Sequence, residues 1–160
     1  MTTLKEATRE ALEFLRSHIN VGTLATIDLE GQPHASPVYF VMGSEFEIFF
    51  ITTKNSHKAK NISQNDRVAF SVGTGPDYIA VMIRGRAILA NTAEQNQILP
   101  VILEHIEKNK GFNWPVRKLE ELRDQNLVLY KINPEKVTFL NINSTQEPKS
   151  NADHLYHLMD

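Results

Sequence analysis

The 160-residue sequence predicts a mainly β, α+β domain: an antiparallel barrel with flanking helices. Strand-like runs follow one another through short turns, which parallel crossovers of a dozen or more residues would not permit. Helical periodicity is confined to a few separate segments. One run, FEIFFITT (46–53), is apolar on both faces, with Phe46, Ile48 and Phe50 against Phe49 and Ile51. Such a strand is a barrel wall covered from outside by a helix or by a second subunit.

Taken in order, Thr3-Leu4-Lys5-Glu6 has the form of a capping box, and Leu4, Ala7, Ala11, Leu15 and Ile19 recur at helical spacing behind it. VGTLATID and HASPVYFV read as strands around the turn Leu29-Glu30-Gly31-Gln32, and FEIFFITT follows the Gly43-Ser44 turn. Ser56 to Ser63 reads as a short helix capped by Asn55 or Ser56, after which RVAFSV and YIAVMIRGRAILA resume the strands. Thr92-Ala93-Glu94-Gln95 predicts a second capping box opening a helix to about Lys108, ended by Gly111. FNWP is a loop, and 117–124 has room for another helical turn or two. LVLYKI and KVTFLNI are the last strands, separated at Asn133-Pro134. From Ser144 the composition turns polar and predicts a loose or partner-docked tail.

A formal net charge of −2 gives no ground for wholesale nucleic-acid binding, so any anion affinity must be local. The absence of cysteine rules out disulfides, thiolate–zinc sites and a cysteine nucleophile. No apolar run approaches the ~20 residues of a membrane span. The N-terminal stretch, with Glu6, Glu10 and Glu13, lacks a signal-peptide core, which reads as cytoplasmic.

ITTKNSHKAKNI (51–62) gathers Lys54, His57, Lys58 and Lys60 in a chain that is otherwise slightly acidic. A phosphate monoester presents ~1.5–2 negative charges and strong acceptor oxygens. It is met by hydroxyls, a cation and the free N–H groups of a helix start. Thr52 and Thr53, Ser56, and Lys58 in the first helical turn supply those groups within a few residues. A lysine there is otherwise repelled by the helix dipole. Charge alone favours a plain solvated turn, since short basic runs are common.

The order of residues separates the two readings. VYFVMGSEFEIFFITTKNSHKAKNISQNDRVAF resembles the pyridoxamine 5′-phosphate oxidase-like, FMN-binding split-barrel family. Asn65 to Val68 (NDRV) and Ile83 to Ala87 (IRGRA) match further steps of its pattern. The similarity spans roughly 20–90, with a weaker echo in 127–142. The resemblance implies a split barrel over 1–143 with the polar tail at 144–160, a homodimer, and FMN at the subunit interface. It implies that Ser36, Pro37, Val38, Tyr39 and Phe40 lie along the flavin ring. Thr52, Thr53, Ser56, His57 and Lys58 would take the phosphate, Ile51 would stand at the aromatic position of the family's aromatic-threonine pair beside the cofactor, and Trp114 would reach the partner's flavin. His57 stands where the family often has arginine, and histidine is cationic only below about pH 6.5 unless perturbed.

Two departures count against pyridoxamine phosphate oxidation itself: Ala35 where the oxidases are commonly basic, and Ala80 where they often carry a polar flavin contact. An arginine-x-histidine motif near the C-terminus is also missing. The implied activity is an FMN-dependent oxidoreductase taking electrons from a donor such as NAD(P)H, with no catalytic side chain identified. The rivals are a relative using the deazaflavin F420, whose longer acidic tail wants a further basic groove, and a non-enzymatic flavin or haem carrier. Pro37 also fits a plain edge strand, and Trp114 plain packing. Arg84 and Arg86 are read as facing outward, in ion pairs. His154, His157 and Asp153 have metal-ligand residue types but sit in a poorly anchored tail, and no metal site is read from them.

Overall fold

The computed structural model describes residues 3–17, 21–73, 78–108, 126–142 and 155–159. The elements are α1 (Leu4–Ser17), β1 (Val21–Ile27), β2 (Pro33–Met42), β3 (Ile48–Thr53), α2 (His57–Gln64), β4 (Arg67–Gly73), β5 (Ile79–Leu89), α3 (Thr92–Lys108), β6 (Leu127–Asn141) and β7 (Leu155–Met159). The strands run β3-β2-β1-β4-β5-β6, all antiparallel, and β3 also pairs with β6, which closes a six-stranded barrel. Closure removes the sheet edges except along β7 and where β2 and β3 part before Phe40. No helix among the described residues is long and apolar enough to cross a membrane.

Alternation sorts the side chains. Val68, Phe70 and Val72 of β4 point into the barrel while Arg67 and Ala69 point out, and β5 repeats the pattern with Val81 and Ile83 against Met82 and Arg84. The interior is a single cluster around Phe40, Ile48, Phe50, Phe70, Ile132 and Phe139, with Phe40 edge-on to Phe70 at 5.0 Å between centroids. Ala7, Ala11 and Leu15 of α1 and Ile62 of α2 join it. At Gly22 an added Cβ would lie 2.3 Å from the Phe70 ring, so this core needs a bare backbone there.

The two-sided strand has its second cover. Phe49 and Ile51 of β3, with Val41 and Leu129, pack on Ile102, Leu103 and Ile106 of α3 in a separate outer cluster. The cover within this chain is therefore a helix. The strand itself begins later than expected: Glu45 and Phe46 adopt positive φ of 45° and 67° in the preceding turn, although Phe46 is still buried in the core.

Capping agrees at one helix and shifts at another. The Thr3 N–H donates to Glu6 Oε2 (2.7 Å) and the Glu6 N–H to Thr3 Oγ1 (3.2 Å), the reciprocal box expected. For α3 the cap is Asn91, one residue earlier than Thr92: the Glu94 N–H donates to Asn91 Oδ1 and the Asn91 N–H to Glu94 Oε2, both at 2.9 Å. Asparagine caps at least as well as threonine, and this register makes Glu94, in place of Gln95, the answering residue.

Two further expectations are corrected. Asn133-Pro134 does not separate two strands. β6 runs through it with a bulge, Gly85 opposing Pro134 and Arg84 opposing Lys136, so that Glu135 is the extra residue. A bulge is where a strand tolerates proline. Gly85 permits the close approach, since a Cβ there would sit 2.1 Å from the Asn133 carbonyl oxygen. Part of the tail is also not loose: Leu155–Met159 pairs with Val137–Leu140 of β6, and Tyr156 packs beside Phe139. The expected 117–124 helix lies outside the described residues.

Candidate functional site

The site forms where β2 and β3 separate. β2 pairs with β3 only over Phe40–Met42, whereas Pro33–Tyr39 pairs with β1 alone. β3 continues to Thr53 against β6, leaving Ile51–Thr53 without a β2 partner. The strands thus part beyond the Phe40–Phe50 pair, beside the turn that leads into α2. Pro37 occupies the one-sided, exposed part of β2, where a missing N–H costs no ladder bond toward β3.

Thr52 Oγ1 lies 2.9 Å from Ser56 Oγ, and Ser56 caps α2 by accepting from the Ala59 N–H at 3.2 Å. The two hydroxyls share one hydrogen bond, so one O–H proton is left for an outside acceptor. The His57 and Lys58 N–H groups open the helix and lack acceptors within it. The Ser56 N–H is held by the Thr53 carbonyl (3.0 Å), and the Lys54 N–H by that of Asn126 (3.1 Å), which fixes the turn.

Lys58 is half-buried, and burial holds its ammonium below the ordinary lysine range. Among the described residues no carboxylate pairs with it. Residues 51–65 contain no acid at all, and Asp66 is taken by Arg86 at 2.8 Å. A partly desolvated cation, a spare hydroxyl and the helix-start N–H groups thus lie within one turn, Thr52–Lys58, a set of donors suited to a phosphate dianion.

Local packing holds this corner rigid. Ala59 and Ile62 bury one face of α2, and the buried Asn61 donates from Nδ2 to Thr26 Oγ1 of β1 at 3.0 Å. Sequence reading missed this bond because its partners are 35 residues apart. Alternation did hold a signal for Thr26, a polar residue at an inward position of β1.

The other predicted residues divide by what their side chains already touch. Val38 and Phe40 are buried in the barrel core and Ile51 under α3, so only their backbone could face a ligand. Tyr39 points outward beside the outer cluster, and burial raises its phenol above the usual range. Ser36 and Thr53 are half-buried, whereas Pro37 and His57 are exposed. Trp114 lies outside the described residues, as do Asp153 and His154; His157 is exposed on β7. Among the described residues no group of side chains suits a metal. Arg86 faces outward and pairs with both Asp66 and Glu135. Sequence reading saw one compact basic turn; pairing of β4, β5 and β6 also gathers Arg67, Arg84 and Lys136 on the outer face.

The fold is a split antiparallel barrel with a basic, hydroxyl-bearing turn after its third strand. The family model for pyridoxamine 5′-phosphate oxidase matches residues 5–141, and the chain belongs to that family. It is similar to the 5a,11a-dehydrotetracycline/5a,11a-dehydrooxytetracycline reductase of Streptomyces rimosus subsp. rimosus, 36% identical over 88 residues that cover 50% of this chain and 61% of that protein. The matched part is thus less than two thirds of that curated relative. In fold the chain resembles an F420 reductase (TM-score 0.57, 22% identity, covering 78% of this chain and 94% of the other). It also resembles a haem-binding protein of Mycobacterium smegmatis (TM-score 0.64, 16% identity, covering 96% and 60%). Proteins of this fold therefore include oxidoreductases and haem binders, and the fold alone does not choose the cofactor.

Proposed function

We propose that the chain is an FMN-dependent oxidoreductase that seats the flavin phosphate on the Thr52–Lys58 turn. The observation that carries this reading is Lys58, half-buried, with no carboxylate paired to it among the described residues, and placed where the positive end of α2 opposes it. Thr52 or Ser56 gives a hydroxyl proton, His57 and Lys58 give backbone N–H groups, and Lys58 gives the charge. The one-sided stretch of β2 offers the ring a strand edge with free donors and acceptors up to Tyr39. Bound FMN would supply hydride and electron transfer; the chain's part is to position it, neutralise its phosphate and exclude water.

The site in one chain has an open side, with Ala35 and Pro37 exposed along β2. A second copy of the chain closing that side, in a homodimer with two equivalent sites, completes the proposal. The reductase relative supports an oxidoreductase role; a donor such as NAD(P)H and a small-molecule substrate are part of the proposal.

Identification of the chromophore extracted from the purified protein tests the cofactor. FMN is expected; F420 or haem would replace the reading with the corresponding relative. Bleaching of the bound flavin by NAD(P)H tests the enzyme, and a flavin that is held but never reduced would make the chain a carrier. Dilution to monomers should release the flavin, and a monomer that retains it defeats the interfacial placement.

A further inference from the structure

We infer that Lys58 is a modification site: its amine takes the acyl group of a small acyl phosphate, a role that rests on the phosphate seat proposed for the same turn. The lysines of this stretch differ in their surroundings. Lys54 and Lys60 are exposed, whereas Lys58 between them is half-buried. Among the described residues no carboxylate pairs with it, and residues 51–65 contain no acid. It stands in the first turn of α2, against the positive end of the helix. Desolvation and the helix end both favour the neutral amine over the ammonium, and only the neutral amine attacks a carbonyl carbon. Burial does hold the Lys58 ammonium below the ordinary lysine range.

The same turn supplies donors for the leaving group. Thr52 Oγ1 and Ser56 Oγ, 2.9 Å apart, share one hydrogen bond and leave one hydroxyl proton over, and the His57 and Lys58 N–H groups open α2. These donors hold a phosphate without drawing on the Lys58 amine. In an acyl phosphate the carbonyl carbon is one bridging oxygen away from phosphorus. An amine within hydrogen-bond reach of the phosphate oxygens is therefore also near the roughly 3–3.5 Å from which attack on that carbon proceeds. Once the ammonium has yielded one proton to solvent, the Nζ lone pair forms the C–N bond and the C–O bond to phosphate breaks. The nitrogen's second proton leaves with the departing phosphate, so the products are an amide on Lys58 and inorganic phosphate. The amide carries no charge, which takes the cation out of the seat. Acylation of Lys58 thus switches off cofactor binding, and bound FMN shields the amine from it.

Incubation of the full chain, freed of flavin, with acetyl phosphate at mildly alkaline pH tests this, the acetylation rate of each lysine being read by mass spectrometry. Lys58 should react at least about tenfold faster than Lys54 or Lys60, a small part of what a held geometry can supply. Inorganic phosphate and FMN should each protect Lys58 and leave the two exposed lysines unaffected. Acetic anhydride, which carries no phosphate, should lose most of the preference for Lys58. The acetylated chain, and Lys58→Gln as its neutral mimic, should both bind FMN about ten- to hundredfold more weakly, one charge-assisted contact being lost. Equal rates at the three lysines, or the same preference for Lys58 with acetic anhydride, overturn the acyl-phosphate reaction. If the rates are equal while FMN still protects Lys58, the flavin seat stands and only the acylation falls. If Lys58 reacts fastest and inorganic phosphate protects it while FMN does not, the acylation stands and the flavin reading falls.

Discussion

The two ends of β3 treat a half-buried lysine in opposite ways. Near its start, Lys131 of β6 reaches Glu94 at the first turn of α3, lies 3.9 Å from Glu47, and sits 5.9 Å over the Phe49 ring. Its pKa is raised, first by the hydrogen bond to Glu94. Just past its end, Lys58 meets no carboxylate among the described residues, and its pKa is lowered by burial. The same side chain on the same barrel wall is thus a finished structural contact at one end and an unfinished one at the other. Glu94 serves two partners at once, capping α3 through Oε2 and binding Lys131 through Oε1, so the Lys131 end closes on itself. A partly desolvated charge with no carboxylate partner among the described residues is what the proposed phosphate seat rests on.

Exchanging the lysines is the sharpest way to break this contrast. Lys58→Ala should weaken FMN binding by ~1.5–3 kcal/mol, roughly ten- to hundredfold, by removing a charge-assisted contact. It should leave the melting temperature of the flavin-free protein unchanged or slightly higher. Flavin fluorescence titration alongside thermal melts separates the two effects; undiminished FMN affinity would empty the proposed seat.

The next effect tests whether the Lys58 end depends on its scaffold. Asn61→Ala leaves the Thr26 hydroxyl buried without its donor, at a cost of ~1–3 kcal/mol in stability. Because α2 then loses its tie to β1, FMN affinity should fall as well, read in the same titration with the protein still folded. Asn61→Ala paired with Thr26→Val removes both polar partners and should recover part of the stability. If FMN affinity does not move while stability falls, the turn is rigid without α2's anchor.

Lys131→Met gives the reverse of Lys58→Ala, with a smaller size. The pair with Glu94 is partly exposed, and such pairs contribute ~0.2–1 kcal/mol. At ~2–4 °C per kcal/mol for a chain of this size, the melting temperature should drop by no more than a few degrees. FMN affinity should stay put. A large loss of flavin in this variant would mean the two ends of β3 are coupled and the contrast is false.

How much of this was legible beforehand follows from the range of each interaction. The Thr3–Glu6 box, the start of α2 at Ser56 and the alternation of β4 and β5 are local, and the residues alone indicate them. The barrel's two-layer wall was visible in FEIFFITT, but not that α3, more than 40 residues away, covers it. Asn133-Pro134 misled because proline usually breaks a strand. What permits it is the Gly85 backbone on a different strand, and no window around Pro134 contains that glycine. The donors of the Thr52–Lys58 turn could be read because they are contiguous. The Asn61–Thr26 anchor and the gathering of Arg67, Arg84 and Lys136 could not, since strand register creates them.

The smallest effect separates the two lysines by pH. Glu94 has a lowered pKa, with Lys131 as the first cause. Its stabilising share is present above the ordinary glutamate range and is lost as pH falls through the depressed value, so the Lys131 end loosens only in acid. Lys58 runs the other way. Its folded pKa is lowered, so the flavin-free protein gains stability as pH rises through that value and the buried charge is discharged. FMN needs that charge. Affinity should therefore hold from about pH 7, where the phosphate is largely dianionic, and begin to decline below the pH at which an ordinary lysine titrates. Titrations from neutral to mildly alkaline pH, in the wild type and in Lys58→Arg, which keeps its charge throughout, check this. The decline should vanish in the arginine variant, and an identical decline in both would place the titrating group elsewhere than on residue 58.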